Sequence, residues 1–346
     1  MKSKVYNFNL NLNWGLIKTI SQIDRFDASW SSIEKREGIN LRQLKSIATI
    51  QSVGSSTRIE GSKMSDKEVE VLLNNMDISK LGNRDAQEVA GYSNVLKIIS
   101  NSFTDIEITE SNIKNLHNQL LKFSSKDRWH RGGYKQHTNA VEAKFPDGTR
   151  QIIFKTAEPG YPTEDAMRNL IIWFHKEKEI HPLIIAASFV YDFLSIHPFQ
   201  DGNGRLSRLL TNLLLLKYGY NWIEYISFEH EIEKNKKDYY RSLRICQSQR
   251  PNEDITEWIN FFLKSLGNLQ QKLAEKLEKT GMLTELNPQQ EIIYNFIANN
   301  AGSKVGQISK KLNISSSSVK RTISKLLALN LIQRKGTGPG TNYRII

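Results

Sequence analysis

Cysteine is nearly absent from this chain of 346 residues, which has Cys246 alone. An internal disulfide needs two cysteines, so a small secreted scaffold held together by disulfides is excluded. Long apolar runs are also missing: the longest, Leu183 to Tyr191, is closed by Asp192 and is too short to cross a bilayer. The first residues lack the continuous apolar core of a signal peptide. We therefore expect a cytoplasmic protein that does not associate with membranes.

Acidic residues are scarce at one end of the chain. Hydrophobic residues make up 39% and charged residues 24%, an ordinary globular composition that excludes a disordered or fibrous protein. The length predicts two or three domains. The net charge is +12, and residues 281–346 hold nine basic residues against two acidic ones, a local charge of +7. A basic tail beside a nearly balanced body indicates an acidic partner for the tail, such as nucleic acid.

Apolar residues recur at helical spacing through most of the chain. Helices are predicted within residues 12–81, 85–121, 163–175, 182–196, 204–218, 232–249 and 255–266, with a charged helical connector over 271–280. The helical spacing of apolar residues stops between Thr138 and Phe154, where two runs with an extended pattern flank Pro146-Asp147-Gly148. Asp-Gly between such runs indicates a β-hairpin. The sequence therefore predicts a mainly α-helical body with one small hairpin.

A segment of twelve residues, HPFQDGNGRLSR (197–208), precedes a leucine-rich helix and combines several features of an anion site. Gly202 and Gly204 bracket Asn203, and glycines let backbone N–H groups approach an anion closely. The free N–H groups and the dipole of a helix N-terminus also favour negative charge. Arg205 and Arg208 lie three residues apart, so both can reach one polyphosphate.

The same segment carries groups for chemistry. Asp201 lies at its midpoint, and a carboxylate beside phosphates commonly holds Mg²⁺. His197 begins it, and neutral imidazole is a common proton acceptor near pH 7. Each feature alone favours an ordinary turn, helix end or solvated arginine. Together within twelve residues they favour a site where a hydroxyl attacks a nucleotide phosphate.

These residues resemble the signature of the Fic-domain family, His-Pro-Phe-x-[Asp/Glu]-Gly-Asn-[Gly/Lys]-Arg-x-x-Arg, at every fixed position. Most characterised members transfer AMP from ATP to a Ser, Thr or Tyr hydroxyl of a protein. The resemblance implies that His197 deprotonates the hydroxyl, that Phe199 anchors the loop, and that Asp201 binds Mg²⁺. Some relatives transfer UMP, phosphate or phosphocholine, which are alternatives here, but the intact signature with its Gly204 argues against the phosphate-transferring branch. The phosphate-transferring branch has Lys where this sequence has Gly204.

The resemblance also assigns the phosphates. Asn203 and the backbone around Gly202 and Gly204 would hold the α-phosphate, and Arg205 and Arg208 would clamp the β- and γ-phosphates.

Two further features resemble the family across roughly residues 12–266. The hairpin between Asn139 and Phe154, with Ile152, Ile153 and Phe154 on its second run, resembles the flap that pairs with the backbone of the target protein as an added strand. A plain surface hairpin is the alternative.

Tyr239 and Tyr240 resemble an aromatic pair of the adenine pocket, and Gln247 stands two turns later, where some relatives place an amide. For these three residues an ordinary helix core is equally compatible with the sequence.

Ser56-Thr-Arg-Ile-Glu60-Gly61 resembles the inhibitory motif of one Fic subclass, [Ser/Thr]-x-x-x-Glu-[Gly/Asn]. Ser56 and Glu60 are about one helical turn apart, and Gly61 suits a helix C-terminus. A carboxylate beside Arg208 would form a charge-assisted pair and occupy the guanidinium that the γ-phosphate needs. Glu60 as a solvated acid, or as a residue that positions water to reverse the transfer, are the alternatives.

The basic tail predicts helices over 289–300, 305–312 and 316–329, with a serine cluster at the last N-cap, followed by strands over 331–334 and 342–346 around a glycine-rich turn. This order is typical of a winged helix. Ser317, Lys320 and Arg321 would face a DNA major groove and Lys335 a phosphate. Winged helices also dock proteins or dimerise, so DNA binding is one of two interpretations.

We therefore expect an N-terminal helical region with an inhibitory motif (1–84), a Fic catalytic core (85–267), a helical linker (268–281) and a winged-helix domain (282–346). The favoured function is Mg²⁺- and ATP-dependent AMPylation of a protein, of which the chain itself could be one target, and a homodimer is compatible with the sequence. The alternative from another class is a DNA-binding regulator whose Fic core senses a nucleotide without transferring it.

Overall fold

Two compact units, residues 1–271 and 272–346, make up the fold of this protein. The structure is a computed structural model and describes residues 9–75, 81–144, 150–284, 286–329, 331–336 and 338–345. The first unit is mainly helical and contains one antiparallel hairpin. The described part of the second unit contains the end of the helix that begins in the first, three complete helices and another hairpin. Among the described residues, no helix is long and apolar enough to cross a membrane.

A single helix of 46 residues, α1 (Trp14–Ile59), covers most of the N-terminal region. It begins where the side chain of Asn13 accepts a hydrogen bond from the Leu16 backbone N–H, at 3.0 Å, as an N-cap residue does. It ends at Glu60, and Gly61 follows at φ +110°, so the prediction of Gly61 at a helix C-terminus is confirmed. α2 (Asp66–Asn74) then starts behind a Ser65–Glu68 capping box.

The remaining helices of the first unit surround two that are almost fully buried. Their bounds are α3 (Arg84–Ser102), α4 (Glu110–Leu120), α5 (Tyr161–Lys176), α6 (Pro182–Ile196), α7 (Asn203–Lys217), α8 (Phe228–Lys234) and α9 (Lys236–Gln247). α10 (Thr256–Thr284) begins in the first unit and ends in the second. The apolar run of α6 and the leucines of α7 are buried along nearly their whole lengths. Burial of these side chains fixes the two helix ends between which residues 197–202 lie.

Two helix predictions were wrong. The helix expected over 232–249 is interrupted at Asn235, which ends α8 and caps α9, because its side chain turns back to the Glu231 carbonyl oxygen at 2.9 Å. The helix expected over 255–266 and the separate connector are one continuous helix, α10. Leu269, just before that connector, and Leu273 and Leu277 within it are buried, so the apolar stripe of α10 continues through the charged sequence.

The hairpin consists of β1 (Ala140–Lys144) and β2 (Arg150–Lys155), which pair antiparallel with a register shift after Val141. The predicted turn at Pro146-Asp147-Gly148 lies outside the described residues.

The second unit contains α11 (Pro288–Asn299), α12 (Val305–Leu312), α13 (Ser316–Ala328), β3 (Ile332–Lys335) and β4 (Asn342–Ile345). Asn313 adopts φ 54° at the turn between α12 and α13, a conformation that Asn tolerates. Ser315 caps α13, which confirms the predicted serine N-cap. The helices and the hairpin share one apolar core, so this unit has the predicted winged-helix arrangement.

Candidate active site

The loop between α6 and α7 is held rigidly by its own side chains. The amide of Asn203 accepts a hydrogen bond from the Phe199 N–H at 2.9 Å and donates one to the Phe199 carbonyl oxygen at 2.7 Å. Phe199 is fully buried and stacks on the His117 ring, with centroids 3.8 Å apart. Gly202 forms the N-cap of α7 at φ 82°, which glycine adopts at low cost. The loop therefore presents the N-terminus of α7 in one fixed orientation.

His197 is the first residue after α6 and has the left-handed backbone conformation φ 53°, ψ 59°. Its Nδ1 lies 3.3 Å from the Leu194 carbonyl oxygen. A carbonyl only accepts, so Nδ1 carries the proton and Nε2 is left unprotonated. Burial, with a smaller contribution from the nearby Lys135 ammonium, lowers the pKa of His197 to about 4, although the Leu194 carbonyl opposes this change. The imidazole is therefore neutral at pH 7, the form that can take a proton.

Asp201 is an ionised carboxylate in this loop. Burial alone would raise its pKa, but Arg205, the Gly202 N–H and Arg84 outweigh burial and lower the pKa below its usual value. Its Oδ1 accepts a hydrogen bond from the Gly202 N–H at 2.6 Å, and its Oδ2 lies 3.4 Å from Arg205. Its side chain is 42% exposed, so it combines full charge with access to solvent.

The two arginines of the loop have different surroundings. The Arg205 guanidinium is buried and lies 3.4 Å from both Asp201 and Glu88, and Arg84 in turn pairs with Glu88 at 2.6 Å. The buried Nε and Nη1 atoms of Arg205 have no hydrogen-bond partner among the described residues. The Arg205 guanidinium is therefore held between two carboxylates, and these two atoms do not face solvent.

Arg208 donates hydrogen bonds to residues at the C-terminal end of α1. Its Nε donates to the Ser56 hydroxyl at 2.8 Å, and its Nη2 donates to the Ser56 carbonyl oxygen at 3.0 Å and to Glu60 Oε1 at 2.7 Å. Burial lowers the pKa of Arg208, but the Glu60 carboxylate outweighs this effect and raises it above its ordinary value. Burial raises the pKa of Glu60, and Arg208 outweighs this and lowers it. Both groups are therefore charged, and their contact is a charge-assisted hydrogen bond.

Glu60 also occupies the space over the first turn of α7. A methyl group added at Gly204 would collide with Glu60 Oε1. Glycine is thus required at position 204 for this carboxylate to come so close to the helix N-terminus. The carboxylate stands where the dipole and the free N–H groups favour an anion.

Most of the predicted site residues line one cavity of about 1530 Å³. Its lining includes Glu60, His197, Asp201, Gly202, Asn203, Gly204, Arg208, Tyr239, Tyr240 and Gln247. Arg205 is not part of this lining. Tyr239 is buried and meets Tyr240 edge to face, with ring centroids 5.1 Å apart. The Gln247 amide donates to the Ser195 hydroxyl at 3.0 Å, so the amide is already used in the free protein.

The flap residues are only partly described. Phe154 pairs with Val141 in the hairpin, and its side chain is half-buried. The side chains of Ile152 and Ile153 lie outside the described part of the structure.

Sequence reasoning missed three residues that support the loop. His117 donates from Nε2 to the Asp201 carbonyl oxygen at 2.9 Å and accepts at Nδ1 from the Gly132 N–H at 2.9 Å. Glu88 balances Arg205, and Lys135 contacts the backbone on both sides of His197. Each is distant in sequence from the segment 197–208, and no local pattern marks it.

The DNA contacts predicted on α13 lie on the surface of the second unit. Ser317, Lys320, Arg321 and Lys335 are all exposed. A groove of about 750 Å³ in this unit is lined by Lys304, Lys320 and Arg334 among others. The structure therefore presents several cations around one groove.

Comparison with known proteins agrees with both units. Residues 107–215 match the Fic/DOC family model, and residues 286–333 match the model of a winged helix-turn-helix DNA-binding domain. The chain therefore contains a Fic domain followed by a winged helix-turn-helix, which confirms the predicted fold class.

The curated relatives share a common name. The protein adenylyltransferase Fic of Drosophila melanogaster is 28% identical over 207 residues, which are 59% of this chain and 39% of the relative. That of Drosophila virilis is 30% identical over 199 residues, 54% of this chain and 38% of the relative. The chain thus spans about two fifths of the length of these relatives.

Solved structures share the fold. A structural alignment with a Fic family protein from Desulfovibrio desulfuricans G20 covers 99% of this chain and 98% of that protein's chain, with a TM-score of 0.64 at 20% identity. The alignment with a Fic-domain signalling protein from Bacteroides thetaiotaomicron covers 75% of this chain and 94% of that protein's chain, with a TM-score of 0.57 at 26% identity.

Proposed function

We propose that this protein transfers AMP from ATP to a hydroxyl group of a protein side chain. The observation that carries the proposal is the neutral His197, which has its Nε2 unprotonated and lines the same cavity as Asp201, Arg208 and the N-terminus of α7. A base, an anion site and a carboxylate thus converge on one space. The adenylyltransferase relatives support the same activity.

In the proposed reaction, the acceptor hydroxyl gives its proton to His197 Nε2 while its oxygen bonds to the α-phosphorus of ATP. The bond from that phosphorus to the bridging oxygen breaks, and pyrophosphate leaves. The N–H groups at Gly202, Asn203 and Gly204 would neutralise charge on the α-phosphate, since the helix N-terminus favours anions. Arg205 and Arg208 would hold the outer phosphates.

Asp201 fits the expected Mg²⁺ site. Its carboxylate is ionised and 42% exposed, and oxygen is the ligand that Mg²⁺ prefers. Among the described residues, no group of three or more His, Cys, Asp or Glu side chains could hold a metal ion. One carboxylate suffices, because Mg²⁺ in such sites takes its other ligands from phosphates and water. When bound, the ion would neutralise charge on the bridging phosphates.

We further propose that Glu60 inhibits this activity. Arg208 directs three hydrogen bonds to Ser56 and Glu60, so the guanidinium predicted for the γ-phosphate is already in use. The Glu60 carboxylate also adds negative charge at the anion site. ATP would have to displace this carboxylate to place its phosphates productively, because two anions repel at short range.

The test is direct. The purified chain is incubated with labelled ATP, CTP, GTP or UTP, with and without Mg²⁺, and protein-bound label is measured together with the mass added to the chain. We expect label from ATP alone, only with Mg²⁺, and a mass increase of one AMP. Labelling from UTP instead would indicate transfer of another nucleotide, and labelling from none, also in a Glu60→Gly variant, would contradict the proposal.

A second function is proposed for the winged helix, namely binding to DNA. Lys320, Arg321 and Lys335 are exposed, and Lys304 and Arg334 line the same groove as Lys320. Cations gathered on one face attract the phosphate backbone. The rival interpretation, a DNA-binding regulator whose Fic core only senses nucleotide, shares this feature but lacks AMP transfer. Retention of DNA binding in a His197→Ala variant would fit both interpretations, so AMP transfer by the wild type decides between them.

The domain bounds 1–84, 85–267, 268–281 and 282–346, a cytoplasmic location, homodimerisation and reversal of the transfer by Glu60 remain predictions.

A further inference from the structure

We propose that Lys135 is a positioning residue that fixes the flap hairpin and the backbone of His197 to each other. This inference rests on the proposed function, because its consequence for catalysis requires His197 to be the base. Lys135 lies in the loop between α4 and β1, and only 2% of its surface is exposed. A buried lysine is rare unless its ammonium group is satisfied, so its partners indicate its purpose.

The ammonium group of Lys135 is satisfied by three oxygen atoms. Its Nζ donates to Asn139 Oδ1 at 2.9 Å, to Thr156 Oγ1 at 2.8 Å and to the Ile196 carbonyl oxygen at 3.2 Å. Asn139 immediately precedes β1, and Thr156 immediately follows β2. The ammonium group therefore joins both ends of the hairpin to the last residue of α6.

Lys135 also holds His197 from its other side. The Lys135 backbone N–H donates to the Pro198 carbonyl oxygen at 2.8 Å. The residues before and after His197 are thus bound by one lysine. His197 has φ 53°, a conformation that costs a non-glycine residue on the order of 1–3 kcal/mol and persists only where its surroundings enforce it. Lys135 supplies contacts of that kind.

The base of the hairpin is tied to the signature loop by a further contact. The Asn139 amide donates to the Phe199 carbonyl oxygen at 2.8 Å, and the Thr156 hydroxyl bonds Asn139. A displacement of the hairpin would therefore be transmitted to the backbone around His197. If the flap receives the acceptor strand, Lys135 sets the distance between the acceptor hydroxyl and His197 Nε2. Errors of about 1 Å in such a distance can cost about 100-fold in rate.

The charge of Lys135 adds a second effect. Burial lowers the pKa of Lys135 to about 8 against the opposing effect of the Glu158 carboxylate, so most molecules keep the ammonium at pH 7 and lose it above pH 8. The neutral amine has two hydrogens and cannot donate to all three oxygens at once. We therefore expect AMP transfer to decline above pH 8 in the wild type.

The experiment compares Lys135→Met and Lys135→Arg with Lys97→Met, which removes an exposed lysine of α3. It uses the full chain with the additional Glu60→Gly substitution. In Lys135→Met we expect AMP transfer to fall by tenfold or more at saturating ATP while the Kd for ATP·Mg²⁺ changes less than threefold. Lys135→Arg should recover part of the rate and lose the decline above pH 8, because arginine stays protonated. Lys97→Met should match the parent.

Hydrogen exchange of residues 139–144, 150–156 and 194–199 gives a readout that does not depend on activity. We expect faster exchange of these segments in Lys135→Met and unchanged exchange elsewhere. Unchanged exchange in these segments, or an equal loss of ATP affinity and rate, would overturn the inference. Absence of AMP transfer from every variant, with the exchange difference present, would contradict the proposed function and leave the positioning contact established.

Discussion

The cations of the Fic domain and those of the winged helix stand in opposite environments. Arg205 and Arg208 are buried and paired with carboxylates at 3.4 and 2.7 Å. Lys320, Arg321 and Lys335 are exposed, and none pairs with a carboxylate of the described residues. Buried, paired cations have fixed positions and suit a small ligand of defined shape. Exposed cations suit a long polyanion that is bound mainly through its charge.

The largest expected effect concerns the buried site of the Fic domain. His197→Ala removes the unprotonated Nε2 but leaves the anion site, so AMP transfer should fall by about 10²–10⁴-fold, as expected for loss of a general base. The Kd for ATP, measured by calorimetry, should change little. As a control, His137→Ala removes an exposed histidine from the same unit and should keep the parental rate. Undiminished transfer in His197→Ala would contradict the role of His197.

A smaller effect, of opposite sign, is expected from Glu60→Gly. Removal of the carboxylate frees Arg208 and the N-terminus of α7, and a charge-assisted hydrogen bond is worth about 1.5–3 kcal/mol, or roughly 10–100-fold. AMP incorporation should rise by that factor. Glu60→Gln keeps the shape but not the charge and should give an intermediate rise.

The control for this prediction is Glu70→Gln, which changes an exposed acid of α2. Equal rates for the wild type, Glu60→Gly and the control would remove the inhibitory role.

The site was predictable from sequence where its parts are contiguous. His197, Asp201 and Arg208 belong to one loop and one helical turn, so their spacing alone brings them together. Glu60 is distant from that loop, and only its resemblance to a known motif pointed to Arg208. Lys135 and His117 could not be found, because a long-range contact leaves no mark in the local sequence.

The fold shows the same division. The helix over 182–196 was predicted with its observed bounds because Pro182 starts it and His197-Pro198 follows its last apolar residue, Ile196. The interruption at Asn235 was missed because it depends on a single side chain that turns back to the backbone. The continuity of α10 was missed because charged residues obscured the buried leucines.

The next prediction concerns the exposed cations of the winged helix. A double variant Lys320→Ala/Arg321→Ala should weaken binding to a 30-base-pair duplex of random sequence by roughly tenfold at moderate salt. The slope of log affinity against log salt should fall by about 1 for each phosphate that the variant no longer neutralises. Fluorescence anisotropy across a salt series measures both quantities.

The matched control is Lys310→Ala/Lys311→Ala, which removes the same two charges from α12 of the same unit, where both lysines are exposed. Loss of affinity in this control equal to that of the first double variant would show that only the total charge matters and not the position of Lys320 and Arg321 on α13.

The last prediction compares the pH dependence of stability in the two units. Burial lowers the pKa of His117 to about 4, so the folded protein keeps this ring neutral while the unfolded chain protonates near pH 6.5. The unfolded state then binds more protons, and stability of the Fic domain falls as the pH drops from 6.5 to 4, by on the order of 3 kcal/mol from this ring. All seven histidines precede residue 272, so the winged helix has no such contribution.

In calorimetric unfolding of the full chain, His117→Phe should reduce the pH dependence of the Fic transition, whereas His137→Gln should not. A pH dependence of the winged-helix transition equal to that of the Fic domain would contradict this assignment, because the histidines would then not be its source.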